Sequence, residues 1–416
     1  MRNEDNVIVL SEKSRVLFAT FSPWINGRRL PTNGSLEPLR DFLLPRAAEI
    51  VLIDQPFPGS DFVLPRIEIY RNSTMTAGKN SFWMSLLSPF LLMQNVSGTR
   101  VSFKVRDFCS VLDQGIRNKG QFDFFIGLES INTLAGIILR RFGKVKRVVY
   151  YVSDYAPDRF GKGVFNRIYL LLDRVCAHHA DYIWDVSKAM QPARISAGLH
   201  PDRSAPVIYV PNGLLPEQIQ FEKNNTASYG RLAYMGTLGE ENGPDLAIEA
   251  LPRVAKSVPS AHLVIVGGYP DDISRLTGLA KKLHVEKRVT FHGFVQSPLE
   301  MSKILRSCYL AVAPYRAFPG SVRYFADAGK IRAYCAAGLP VITTPVPPLG
   351  KVVAHLGGAM IATDTVSNFS EAIIEVLTDK KLYASLRKGA IQFAKDSTWD
   401  HTFAEAFRQM TVVRRR

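Results

Sequence analysis

Short apolar runs that stop at glycine, serine or proline recur along this chain, with helical patterns between them. In the first half Val16–Phe21 is such a run, ending at Ser22-Pro23. Ala48–Ile53, Asp123–Gly127, Arg147–Ser153 and Asp181–Val186 read as further strands, and Glu129–Ile138 and Phe165–His178 carry helical spacing. Strands that are apolar throughout are buried on both faces, as in a parallel sheet covered by helices. After residue 229 the rhythm is cleaner. Strands are predicted at Leu232–Met235, His262–Val266, Val289–Phe291, Leu310–Ala313, Pro340–Thr343 and Ala359–Ala362. Helices are predicted at Pro244–Ser257, Asp271–Leu283 and Asn368–Leu377.

The pattern predicts an α/β protein of two Rossmann-like domains, 1–213 and 229–395. The polar stretch Glu217–Ser228 makes 214–228 the linker, and a final segment covers 396–416. Ligands of open α/β sheets bind beyond the carboxyl ends of the strands. Two such domains facing one another are therefore expected to hold their ligands in a central cleft.

Composition narrows the class. The 416 residues are 46% hydrophobic and 21% charged, which excludes a largely disordered chain. Cys109, Cys176, Cys308 and Cys335 lie far apart with no C-x-x-C pair, so neither a disulfide scaffold nor a zinc site is expected. That cysteine usage fits a reducing compartment. The net charge is +15, from 28 basic against 21 acidic residues in 1–225 and 24 against 16 in 226–416. The excess attracts anionic partners of any kind, including an anionic membrane surface. Apolar stretches such as Leu86–Met93 fall short of the roughly 20 residues that span a bilayer, and the start has no basic n-region leading into an apolar stretch. The expected location is cytoplasmic, with any membrane contact peripheral, at the inner membrane surface.

Candidate chemistry gathers at strand ends. Gly236, Thr237 and Gly243 occupy a turn between a strand and a helix, where glycine lets a backbone approach a phosphate. An ordinary turn between strand and helix needs the same glycines. Arg316 and the loop from Phe318 to Lys330 offer Gly320, Ser321, Arg323, Asp327 and Lys330 to a diphosphate, with Lys330 expected to face solvent. His292 ends another strand. In the first half Ser153 and Asp154 close a buried strand, and Asp154 is a candidate base or orienter, or else a helix cap or loop ion pair. Arg28, Arg29, Asn33 and Gly34 follow the first strand and either hold an anionic acceptor or form a mobile loop with no ligand. His178 and His179 read as surface residues, and Trp399 as a packing anchor.

Four segments resemble the donor domain of retaining glycosyltransferases of the GT-B fold, of the large family-four type. They are Val210-Pro-Asn-Gly213, Tyr234–Leu238 with Asn242-Gly243, Val289–Phe294, and Ala328–Val341, which is similar to the family's N-K-x-x-E-Y-x-A-x-G-x-P-V segment. The resemblance covers roughly 210–395. It implies a nucleotide diphosphate sugar held by the second domain, a glycan or lipid-linked glycan acceptor on the first, and transfer with retention by a hexosyltransferase-type enzyme. It also implies no metal or other cofactor, and a last segment that returns to the N-terminal domain. Several family side chains are replaced. Phe325 and Ala333 stand where the family carries a pair of glutamates. Thr237 and Asn242 stand where bases are usual, and Ser153 stands in place of a histidine. Those losses leave open a catalytically inactive partner subunit and, less well, a sugar-nucleotide epimerase. No nucleic-acid module is recognised.

Overall fold

The computed structural model describes residues 9–30, 34–86, 88–97, 101–222 and 227–412. The chain divides into two compact units, one of Met1–Pro211 with Trp399–Arg416 and one of Asn212–Thr398.

Among the described residues the first unit holds an eight-stranded sheet. Its parallel part runs in the spatial order Val207–Tyr209, Tyr182–Asp185, Val145–Val152, Phe122–Leu128, Arg15–Ser22, Glu49–Pro56. Arg15–Ser22 lies between Phe122–Leu128 and Glu49–Pro56, with Val16 opposite both Phe124 and Ile50. Val16–Ala19 and Ile50–Ile53 are buried, as a sheet with helices on both faces demands. The chain leaves Arg15–Ser22 toward one side of the sheet and Phe122–Leu128 continues the order on the other. The topological switch point is therefore between these two strands.

One feature differs from the all-parallel expectation. Arg66–Arg71 pairs antiparallel with Glu49–Pro56, and Thr74–Ala77 pairs antiparallel with Arg66–Arg71. The hairpin turns on Asn72 and Ser73, with φ of 49° and 62°. Two left-handed residues in a two-residue loop make a turn whose twist matches its strands.

The helix Trp399–Val412 completes this unit. Phe407 packs against Trp184 at 5.2 Å, Phe42 at 5.8 Å and Phe124 at 5.8 Å between ring centroids. The Tyr182 hydroxyl donates to the Met410 carbonyl at 2.8 Å. Deeper in, the Arg194 guanidinium bridges Asp185 at 2.6 Å and Asp173 at 3.1 Å. All three are buried, so each charge depends on the others.

The second unit carries a six-stranded parallel sheet in the order Val289–Gly293, His262–Val266, Arg231–Met235, Leu310–Ala313, Val341–Thr343, Ala359–Ile361. Numbered along the chain this is 3-2-1-4-5-6, the Rossmann order. Its switch point lies between Arg231–Met235 and Leu310–Ala313. The stretch after Pro211 is fastened to this unit. Leu214 bridges Thr398, and the Gln220 amide donates to the Ala336 carbonyl at 3.0 Å.

Candidate functional site

At the second unit's switch point two loops converge. Strand Arg231–Met235 ends in Gly236, whose φ is 125°. Gly243 opens the helix Pro244–Ser257 with φ 66°, and a Cβ there would sit 1.7 Å from the Pro314 carbonyl oxygen. Only glycine lets the two loops approach so closely. Between them the Thr237 hydroxyl accepts from the Asn242 side chain at 2.8 Å.

Lys330 reaches into this corner from the first turn of the helix Gly329–Ala336. It is 9% exposed, not solvent-facing as the sequence suggests. Its ammonium donates to the Tyr234 hydroxyl at 3.3 Å and lies 4.4 Å and 4.7 Å from the ring centroids of Tyr234 and Tyr315. A Cβ on Gly236 would come within 3.4 Å of the same nitrogen. Burial pulls the Lys330 pKa from 10.5 down to about 7; the Arg323 charge pushes the same way and Glu241 opposes it. The helix N-terminus adds a partial positive charge to the spot. The corner therefore combines a cation short of a counter-charge with an open glycine backbone, which is what a diphosphate needs.

The other bases of this loop region are engaged. Glu241 accepts from the Ser321 hydroxyl at 2.9 Å and from Arg323 at 3.1 Å, which ties those two expected donor residues to the glycine-rich turn. Arg316 is held by Asp245 at 2.6 Å, Glu249 at 2.8 Å and the Asp364 carbonyl at 3.0 Å. A cavity of about 360 Å³ beside it is lined by Glu240, Asp245 and Asp364 against Arg275 and Arg316, so its charge does not favour a phosphate. Asp327 is locked to Arg332 at 3.1 Å and accepts the Asn212 amide at 2.8 Å. Gly320 has φ 75° in open space. His292 is exposed on the edge strand, two strands away from Arg231–Met235. The structure thus gathers Gly236, Thr237, Gly243, Ser321, Arg323 and Lys330, and leaves Arg316, Asp327 and His292 to other partners or to solvent.

In the first unit, Glu129 follows directly on Phe122–Leu128, at that sheet's switch point. Its φ is 64°, which is uncommon for a residue with a side chain. Its carboxylate accepts from the Ser153 hydroxyl at 2.8 Å and the Ser153 amide at 3.1 Å. Burial raises the Glu129 pKa above the usual carboxylate range, against those hydrogen bonds and the Arg159 charge. The sequence reading selected Ser153 and Asp154 but passed over Glu129. An acid ending a buried strand was the available signal; its strained backbone and its reach to Ser153 are tertiary. Asp154 itself pairs with Arg159 at 2.5 Å.

The acceptor-side residues fare unevenly. Arg29 is enclosed by Asp54 at 2.8 Å, Glu68 at 2.8 Å and Glu37 at 3.4 Å. Its charge is already balanced. Arg28 is exposed, and Gly34 lies beside the Trp399 ring. Asn33 lies outside the described residues. Among the described residues no group of three or more His, Cys, Asp or Glu is arranged to hold a metal ion.

Residues 216–393 match the family model described as glycosyl transferases group 1. That match lies within the second unit, Asn212–Thr398, and covers less than half of the chain. A D-inositol 3-phosphate glycosyltransferase of Jonesia denitrificans is 29% identical over 175 residues, 41% of this chain and 40% of that protein. An uncharacterized glycosyltransferase of Methanocaldococcus jannaschii is 22% identical over 287 residues, 66% of this chain and 70% of that protein. The chain thus spans about two fifths of the first relative's length. Anabaena HepE, solved in complex with UDP, superposes with a TM-score of 0.65 at 16% identity, covering 96% of this chain and 100% of that one. Sucrose-phosphate synthase from Thermosynechococcus elongatus gives 0.69 at 13% identity over the same shares. The chain has the GT-B fold of these structures, with two parallel-sheet units.

Proposed function

We propose that the protein transfers a sugar from a nucleotide diphosphate sugar to a glycan or lipid-linked glycan acceptor, with retention at the anomeric carbon, in polysaccharide or glycoconjugate assembly. The observation that carries this reading is Lys330, buried against Tyr234 and Tyr315 beside Gly236 at the switch point of a group 1 domain. An isolated buried ammonium is costly, so the site gains when an anion arrives. As the bond to the sugar breaks, charge grows on the departing diphosphate. Lys330 and the amides of the glycine turn are fixed donors for that charge. The reading calls for no metal or other cofactor. On the acceptor side Glu129 holds Ser153, and the pair orients the incoming hydroxyl together with Asp154.

Phe325 and Ala333, in place of the family's glutamates, motivate one other reading: a subunit that binds sugar nucleotides or glycans without turnover. Calorimetric titration with UDP, GDP and dTDP, followed by assay of free nucleotide release with a lipid-linked acceptor, separates the two. Transfer predicts saturable binding of one nucleotide and acceptor-dependent release. Binding without release under any acceptor supports the subunit. Absence of binding overturns both.

A further inference from the structure

The edge of the second unit's sheet away from Gly236 gathers its own bases. The strands are parallel, so Arg231–Met235, His262–Val266 and Val289–Gly293 all begin there. Arg231 lies opposite His262 in the register, so their side chains share a face, and Arg288 directly precedes Val289. The His262 Nε2 meets the Thr290 hydroxyl at 2.8 Å on that face. A cavity of about 560 Å³, open to solvent, is lined there by His262, His284, Lys287 and Arg288, with Ser260 and Glu286. At about 3.3 Å per residue, His262 stands about 16 Å from Gly267 at the other end of its strand. The cavity is therefore distinct from the corner that holds Lys330.

Its charge is one-sided. From Lys281 to Arg288 the sequence has four bases and one acid, Glu286. Lys281 and Lys282 close the helix Pro270–Lys282, where the dipole favours a cation, so the helix end accounts for them. It does not account for the others. Lys287 and His284 are exposed. Arg288 donates from Nη1 to the Pro259 and Ala261 carbonyls at 2.6 Å and 3.2 Å, which leaves Nε and Nη2 for a ligand. Among the described residues Arg231, Lys287 and Arg288 stand in no ion pair, and the buried Arg231 Nε has no hydrogen-bond partner. His262 registers the result: burial first, then the charges of Arg231 and Arg288, lower its pKa. Cations without a counter-charge around a cavity gain from an arriving anion.

The lining also limits what that anion carries. Among the described residues it has no phenyl, phenol or indole ring on which a nucleobase could stack. The Ser260 hydroxyl and the Glu286 carboxylate, both exposed, match the hydroxyls of a sugar. The volume is that of a small-molecule site.

We propose that this cavity is a second binding site, for a sugar phosphate. Lys287, Arg288 and His284 hold the phosphate, while Ser260 and Glu286 take the sugar hydroxyls. No residue of the donor corner takes part, so the site does not rest on the transfer reading.

Calorimetric titration of the full chain with glucose 6-phosphate tests it. Binding should be saturable, at least about tenfold weaker for inorganic phosphate, and absent for glucose. Lys287→Glu should weaken glucose 6-phosphate binding about tenfold or more, and Lys287→Arg should retain it. Both variants should keep the wild-type thermal unfolding and nucleotide diphosphate affinity. Lys330→Ala should do the reverse, weakening the nucleotide and sparing the sugar phosphate. Wild-type protein that does not bind glucose 6-phosphate, equal affinity for inorganic phosphate, or a loss caused by Lys330→Ala and not by Lys287→Glu would each overturn the proposal. The nucleotide titration is separate, so such a failure leaves the donor reading standing.

Discussion

The Lys330 ammonium stands 3.3 Å from the Tyr234 hydroxyl and 4.4 Å from the centroid of the same ring. The hydroxyl in turn donates to the Thr237 carbonyl at 2.8 Å, in the glycine-rich turn. One tyrosine thus connects the buried Lys330 to the backbone that a phosphate would touch.

That arrangement makes diphosphate affinity depend on pH. Burial holds the free Lys330 near 7, so it loses its proton as pH rises through that value. A bound diphosphate favours the charged form and draws the proton back. Affinity for the preferred nucleotide diphosphate should therefore fall by up to about tenfold per pH unit above 7, with proton uptake on binding. Calorimetry in buffers of different ionisation heat reads that uptake directly. A pH-independent affinity would remove Lys330 from contact with the phosphates.

Stability should move the opposite way to binding. An unfolded chain keeps Lys330 near 10.5, so between about 7 and 10.5 the unfolded state holds more protons and folding gains as pH rises. Below 7 the full cost of burying the charge is present. Lys330→Met should stabilise the second unit by roughly 1–4 kcal/mol in that range while weakening nucleotide diphosphate binding at least about tenfold. The stability gap should close toward alkaline pH. Urea unfolding of both proteins across that range provides the comparison, and a destabilised variant at low pH would contradict it.

Glu129 should reveal itself through backbone and charge separately. With φ at 64°, Glu129→Gly should be more stable than Glu129→Ala by about 1 kcal/mol, since both lose the Ser153 bonds and only glycine avoids the strain. Glu129→Gln keeps an acceptor for Ser153 and loses the acid. Its turnover should fall about tenfold or more, and the acid limb of the kcat profile, set above the usual carboxylate range by burial, should disappear. Nucleotide diphosphate affinity should not change. Equal stabilities of the Gly and Ala variants, with a kcat profile like that of the wild type, would make Glu129 a bystander.

Two glycines of the second unit offer a contrast in steric cost. A methyl group on Gly243 would meet the Pro314 carbonyl at 1.7 Å, whereas one on Gly320 would meet nothing within 4 Å. Gly243→Ala should cost about 3 kcal/mol or more and, by moving the loop that carries Tyr315, weaken nucleotide diphosphate binding. Gly320→Ala should cost about 1 kcal/mol for its positive φ alone. Melting temperatures of the two variants give the test.

How far the sequence could be read follows from where each signal resides. Pro244–Ser257, His262–Val266 and Leu310–Ala313 have the same ends in sequence and structure, because a strand or helix buried by its neighbours writes its own apolar run. The hairpin Arg66–Ala77 does not stand out. Its alternation is short, and Glu68 is drawn inward by Arg29 from 39 residues away. Lys330 is legible as a motif position, but its burial depends on Tyr234, 96 residues earlier. Arg316 reads as free chemistry for the same reason: Asp245, which engages it, is 71 residues away in the chain.

The first unit is built from two stretches of chain with the second unit between them. Phe42, Phe124 and Trp184 are all synthesised before residue 212, yet the helix that covers them starts at Trp399. At about 5–20 residues per second, that aromatic socket stays open on the ribosome for on the order of ten to forty seconds. The inserted unit has every residue its own fold requires once Thr398 has been made, before that helix begins. Released chains that stop before Trp399 will therefore carry a complete second unit and an uncapped aromatic surface in the first, the kind of surface that chaperones retain.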